Sequence, residues 1–504
     1  MPHIILGHCC KDASCVGVCP QNCIHPTPGE PGYASSATLY IDPRACIDCT
    51  ACVDACPASA IKAGDDSDPL DAQILQRSTE HFAGMPEFHP PALRTAFDSA
   101  LQPSGIPHSI AIVGAGAAGL YTVRELLRRS GSVRITVFEQ RGEVGGLLRT
   151  AVSRAHQAVP EMVDYLGPSL RDDRVELVRT TRIGHDISVA RLRSSYDAVI
   201  LACGASQPRR VDGLPPHSDR VHQAIDLLSE HSESESDHRP ADRLGSVCVI
   251  IGAGNVAMDA VRRIVERNRT ATDGSRVTDI FVISRSPASR PAFTFSSLQE
   301  LRSMADIELL IDPGSDDSAG VDEILSDLPV SRDADARSGS LTQDHDNTLR
   351  IVLCFDRTVI EFVEIDGKIM CVMADARHSL CADSVVMAVG FLPAQLDGIP
   401  LDDGLRVLNR RGRILSPQTG EPQPGLYVVG WAKRGAVGGV GENCRCAAET
   451  VEQLVADLSA APCRPRPDVV SLAPTRPDVR SDLPTDCRAL PSCRSAIDRW
   501  DSGP

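Results

Sequence analysis

Aromatic residues are scarce, 4% of 504, and no basic stretch carries them interleaved; with a formal charge of −16 the chain has neither the sign nor the composition of a nucleic-acid binder. No apolar run approaches membrane-spanning length, so no membrane partner is expected. The N-terminus, MPHIILGHCC, lacks the charged and apolar regions of a signal peptide, and the expectation is a cytoplasmic protein in a reducing compartment. There, 19 cysteines do not make a disulfide framework. Nine of them lie at or before Cys56, and that crowding points to metal.

The spacing says which metal. Cys46, Cys49, Cys52 and Cys56, followed by Pro57, form the CxxCxxCxxxCP run of bacterial ferredoxins. Three thiolates on one tight loop cap three corners of a cluster, while the fourth, displaced beyond the loop, turns toward a second one. The other half supplies Cys9 or Cys10, then Cys15, then Cys19 with Pro20. Cys19 thus completes a 4Fe-4S cluster with Cys46, Cys49 and Cys52. The second cluster has Cys15, Cys56 and one of the adjacent pair, Cys9 preferred, with Asp12 near the place of the missing middle cysteine. Three thiolates suggest 3Fe-4S. Cys23 falls outside both sets and reads as a small buried residue.

At 42% hydrophobic the chain can bury several cores, and its length suggests about three domains. Residues 1–62 are expected to form a small α+β ferredoxin domain. Residues 63–108, rich in Pro, Asp, Ser and Ala, read as a linker with at most a short helix around Pro91 to Leu101, a tether that keeps the clusters at high effective concentration. The rest is expected to be α/β, with two Rossmann-like dinucleotide-binding domains: one for FAD at 109–205 and 385–458, the strand at Ser384 to Phe391 returning the chain to it, and one for NAD(P) at 206–384. A Pro- and Arg-rich tail, 459–504, closes the chain.

The FAD expectation rests on an apolar run, Ile110 to Val113, that enters GAGAAG and a helical stretch, followed by a second run that ends on Glu139. Gly114 permits the tight turn, Gly116 lets amides approach a pyrophosphate, and Gly119 lets helix and strand pack closely. Glu139 would accept ribose hydroxyls and repel a 2′-phosphate. Ala118, Gly146 and Leu147 complete this set, Gly145-Gly146 resembling a second glycine contact of FAD-binding flavoproteins. The pattern recurs at Gly252, Gly254, Asn255 and Val256, but its second strand ends on Ser284, Arg285 and Ser286, so a cation, helped by Arg290, stands where the first unit has an acid. Near the C-terminus, Gly430, Trp431, Gly438, Val440 and Gly441 form a glycine-rich turn before a helix whose N-terminus could face a flavin. Cys444 and Cys446 make a CxC pair without the helix-start spacing of a redox motif.

These residues resemble the adrenodoxin-reductase-like NADPH–ferredoxin reductases. The family's GxGNVAxD turn, its strand end leading to AFTxxEL, and its GWIKRGPxGxIGTN segment correspond here to GAGNVAMD, SRSPASRPAFTFSSLQEL and GWAKRGAVGGVGEN. The cysteine-rich start is similar to that of bacterial members with a fused 7Fe-type ferredoxin, and the resemblance spans residues 1–62 and 109–458. It implies an oxidoreductase that passes electrons from NADPH, with NADH possible, through FAD to the clusters and on to a ferredoxin or haem monooxygenase. Three departures stand out. Arg285 is followed by Ser286 rather than a second arginine, the acid after AFT is Ser297, and the Pro-Asp-His near the flavin survives as His156, the one candidate catalytic side chain. Two other readings of the residues are an electron-feeding subunit like the small subunit of glutamate synthase and a non-enzymatic cluster carrier.

Overall fold

A computed structural model describes residues 2–19, 21–33, 35–65, 67–85, 107–152, 159–209, 211, 213, 218–229, 244–271, 276–314, 321–322, 325–331, 348–374, 379–436 and 440–460. In the first 85 residues two short antiparallel pairs, His3–Ile5 with Ile61–Ala63 and Ile24–His25 with Tyr40–Ile41, bring the two cysteine runs together. Ile5, Ile24, Leu39, Ile41 and Ile61 form the core behind the thiols.

The segment read as a linker carries a helix, Pro69–His81. Its polar start is a capping signal: the Asp68 side chain accepts from the Leu70 amide, and Pro69 occupies the first turn, where a missing N–H costs nothing. Buried Asp71 takes Lys62 at 2.8 Å, and Phe82, 1% exposed, packs edge-on against His25. The short helix expected around Pro91 to Leu101 lies outside the described residues.

Strand His108–Val113 reads as an apolar run because it is central to a sheet covered on both faces. The sheet has seven strands in the order Asn409–Arg410, Arg413–Leu415, Pro422–Val428, Ala198–Leu201, His108–Val113, Val133–Phe138, Val175–Val178, the last five parallel. Helices Ala117–Arg129 and Glu442–Ala460 lie together over it and close its core. A second sheet of six parallel strands runs Val221–Gln223, Ser384–Met387, Val247–Ile251, Asp279–Ile283, Leu349–Cys354, Ile307–Asp312. Strand Ser384–Met387, expected to return to the FAD half, instead pairs with Cys248–Ile251. Its four residues are all buried, as a position between two parallel neighbours requires. The crossing back comes just after it, where Phe391–Leu392 pairs with Gln207–Pro208. A three-stranded antiparallel sheet, Val359–Ile365, Lys368–Met373 and Ser379–Ala382, covers one face of the second core. Among the described residues no helix is long and apolar enough to cross a membrane.

Candidate functional site

In open α/β sheets ligands collect at the carboxyl ends of the strands, and here a cavity of about 1800 Å³ joins those ends of both sheets. Of the residues expected in the two dinucleotide sites, Gly114, Gly116, Ala118, Glu139, Gly146, Leu147, Gly252, Gly254, Asn255, Val256, Arg285, Arg290, Trp431 and Val440 line it. His156 and Gly438 lie outside the described residues.

Three glycines shape the walls without lining them. A Cβ on Gly119 would lie 2.0 Å from the Gly114 carbonyl oxygen, so that glycine sets helix-to-strand distance. On Gly430, which has φ +70°, it would lie 2.5 Å from the Ala118 Cβ, and on Gly441 1.9 Å from the Cys10 carbonyl oxygen. Gly116 and Gly254 differ. Nothing comes nearer than 3.9 Å to a Cβ on Gly116, and nothing lies within 4 Å of one on Gly254. Both residues cap the N-terminus of a long helix, Ala117–Arg129 and Asn255–Thr270, and neither helix start is capped by a side chain. Two helix N-termini with open amides and empty space before them fit two pyrophosphates.

At the end of the first unit Glu139 is buried. Its Oε2 accepts from the Ala115 amide at 2.8 Å and its Oε1 from the Arg141 amide at 3.0 Å, so one carboxylate ties the glycine turn to the strand end and lines the cavity where a ribose would lie. The second unit ends on buried Ser284 and exposed Arg285. Arg357 also reaches this place, a residue sequence reasoning missed because it comes from another strand end. Its amide donates to the Ser284 carbonyl at 2.8 Å and its guanidinium to Asp312 at 3.1 Å. Asn255 accepts from the Thr294 amide at 2.8 Å and so holds the Pro291–Thr294 wall over the second turn.

Ser297, where the resembling family has an acid, is buried; its amide caps onto Thr294 and its carbonyl accepts from Arg262 at 2.7 Å. Arg262, 1% exposed, also pairs with Asp259 at 2.6 Å and Glu300 at 3.4 Å. Burial, against the pull of Arg262, raises the Glu300 carboxyl to about 7. The folded protein then keeps a proton there that the unfolded chain has released. The stability so gained is complete below the ordinary carboxyl range and is lost as pH rises through about 7. Glu300→Gln should flatten the stability–pH curve by on the order of 2–3 kcal/mol between about pH 5 and about pH 7.5, read from urea midpoints.

Cys15 is buried and faces Cys9 and Cys56, and burial pushes all three thiols up, Cys56 to about 11. Thiolates in such a place need a cationic centre, which iron supplies. Cys10 packs beside Cys9 and Cys56 against Ala58 and Ala60, and also against Leu120, Tyr121, Met162 and Ala447 of the flavin half. Cys19, Cys46, Cys49 and Cys52 line a second, small cavity together with Cys23, whose thiol lies 3.4 Å from that of Cys19. The CxC pair is structural: the Gly430 amide donates to the Cys446 thiol at 3.2 Å, and burial raises the Cys444 thiol to about 12.

Residues 108–284 match the pyridine nucleotide-disulphide oxidoreductase family, and residues 39–62 match the 4Fe-4S binding domain. A probable ferredoxin/ferredoxin–NADP reductase of Mycobacterium tuberculosis is 33% identical over 498 residues, spanning 91% of this chain and 84% of its own. The mitochondrial NADPH:adrenodoxin oxidoreductase of Arabidopsis thaliana is 26% identical, over 70% of this chain and 83% of its own. A point mutant of FprA from Mycobacterium tuberculosis superposes with a TM-score of 0.57 at 25% identity, covering 70% of this chain and 85% of that one. At one-third identity over 91% of this chain and 84% of the relative, the chain belongs to the ferredoxin/ferredoxin–NADP reductases of the adrenodoxin-reductase type.

Proposed function

We propose that the chain takes electrons from NADPH, passes them through bound FAD to two iron–sulfur clusters, and delivers them one at a time to a ferredoxin or haem monooxygenase, as a cytoplasmic enzyme. One observation carries this reading: both open helix N-termini and the Cys9–Lys11 loop lie on the wall of one cavity. FAD supplies the conversion between a two-electron donor and one-electron carriers. The chain's own residues bind and orient. Amides after Gly116 and Gly254 would receive the pyrophosphates, Glu139 a ribose, and Arg285 the 2′-phosphate of NADPH. Trp431, stacked on Phe391 at 6.1 Å between centroids, gives the cleft an aromatic wall. No side-chain nucleophile is required, because catalysis rests on holding the reacting rings in place. Anaerobic titration tests the reading: NADPH should bleach the flavin and then the clusters, and an unbleached flavin would refute it.

The thiol sets support one 4Fe-4S cluster on Cys19, Cys46, Cys49 and Cys52 and one 3Fe-4S cluster on Cys9, Cys15 and Cys56. Cys9 is favoured over Cys10 because it packs in the core that holds Cys15 and Cys56, whereas Cys10, which shares the Ala58 and Ala60 cluster with Cys9 and Cys56, packs also against the flavin half. The oxidised protein should show a 3Fe-type paramagnetic signal under anaerobic handling, and an oxidised sample silent in that region would count against three-iron ligation.

A further inference from the structure

The iron–sulfur half is seated on both dinucleotide-binding halves, and the seat is lopsided. Gly441, at the start of helix Glu442–Ala460, meets the Cys10 carbonyl so closely that no side chain fits between them. The Tyr121 hydroxyl donates to Asp12 at 3.3 Å. The Tyr165 hydroxyl lies 3.5 Å from the Ala55 carbonyl while Arg124 donates to it at 2.6 Å. On the nicotinamide side a Cβ on Gly7 would lie 2.8 Å from the Cβ of Gln299. Each contact but the last falls on Cys10–Asp12 or on Ala55, the residues beside Cys9 and Cys56. The other thiol set takes part in none of them. The small cavity around it is lined only by residues of the iron–sulfur half, Cys49 is exposed, and Ile47, which lines the same cavity, is 57% exposed.

We propose that the two sets are wired in series in a fixed order. Electrons enter where the Cys9–Lys11 loop lines the cavity into the cluster of Cys9, Cys15 and Cys56, pass to the cluster of Cys19, Cys46, Cys49 and Cys52, and leave at the exposed Cys49 edge to a one-electron acceptor protein. This rests on the function proposed above. Electron tunnelling weakens steeply with each through-space gap, and Cys9 itself lines the cavity, so the route from the cavity to the first thiol set crosses no intervening residue. An acceptor protein can approach the second set but not the first, which the flavin half covers. Electrons balance: each NADPH releases two electrons and a proton to become NADP⁺, each electron reduces the first cluster and then the second in turn, and two acceptor molecules are reduced by one electron each.

The test begins with the wild-type holoenzyme in two states, oxidised for the 3Fe-type signal and dithionite-reduced for the Cys49-side cluster. A water-soluble paramagnetic nickel complex should speed spin relaxation of the Cys49-side signal and leave the 3Fe-type signal unchanged; equal relaxation of both overturns the order. In Cys49→Ser, NADPH should still bleach the 3Fe-type signal on the wild-type time course while reduction of the acceptor protein falls roughly a hundredfold, as for a route that has lost its docked member. Acceptor reduction at the wild-type rate overturns the proposal, and so does loss of NADPH-driven bleaching of a first cluster that dithionite still reduces. Gly7→Phe, which wedges the seat, should slow reduction of both clusters by NADPH without altering their dithionite-reduced spectra. Unchanged cluster reduction in that variant overturns the seat as the entry port. Were NADPH to leave the wild-type flavin oxidised, the underlying function, and not the order of the clusters, would be what failed.

Discussion

Gly116→Val is expected to give a folded protein with full iron–sulfur absorbance and almost no flavin. The position has φ −77°, open to any residue, and an added Cβ would come no nearer than 3.9 Å to the Gly146 Cα and 4.0 Å to the Gly145 carbonyl. The chain itself tolerates the change. What the methyl groups fill is the space before the helix N-terminus, where a pyrophosphate needs the amides within hydrogen-bond reach. Gly119, three residues on, gives the opposite result. A Cβ there would lie 2.0 Å from the Gly114 carbonyl oxygen, so Gly119→Val must push helix Ala117–Arg129 off its strand and destabilise by at least the ~1–3 kcal/mol of an overpacked core. The pair separates binding from folding: flavin per protein and melting temperature should move independently, the first falling in Gly116→Val and the second in Gly119→Val. Stoichiometric FAD in purified Gly116→Val would sink the assignment.

The glycine turns were legible because local backbone geometry dictates residue type at fixed spacing: Gly114 and Gly252 have φ of +109° and +102°, and each abuts a neighbouring strand's carbonyl. Glu139 was legible for the same reason, as it sits one residue past a strand end. Less was legible where partners are distant in sequence. The helix Pro69–His81 hides behind Asp68 and Pro69, residues that a scan for breakers counts as loop although they are a cap. Strand Ser384–Met387 gives no sign of which sheet it joins, since a run buried on both faces fits either. Arg357 enters the nicotinamide site through its pairing with Asp312 and the Ser284 carbonyl, and no spacing announces that. Gly441 reads in sequence as a flavin-turn glycine, yet the atom that forbids it a side chain belongs to Cys10, 431 positions earlier.

Arg285→Ala should raise the Michaelis constant for NADPH about tenfold and leave that for NADH nearly unchanged. Arg285 lines the cavity at the end of strand Asp279–Ile283, where the first unit has its acid, so a 2′-phosphate meets a cation and not a carboxylate. A charge-assisted contact of this kind is worth about 1.5–3 kcal/mol, and the exposure of Arg285 to solvent screening places it at the lower end. Neighbouring cations do not replace it. Arg290 is exposed and separated by a turn, and Arg357 is already paired with Asp312, so its charge is partly cancelled and its amide spent on Ser284. With Ser286 in place of a second arginine, the wild-type enzyme should prefer NADPH only modestly. Arg357→Ala serves as the contrast. Loss of the Asp312 pair loosens two strand ends that shape the whole nicotinamide wall, so both donors should weaken together. The diagnostic quantity is the ratio of kcat/KM for NADPH to that for NADH, which should fall about tenfold in Arg285→Ala and stay level in Arg357→Ala. If the ratio holds in Arg285→Ala while both constants worsen, Arg285 is a structural residue and the 2′-phosphate is read elsewhere.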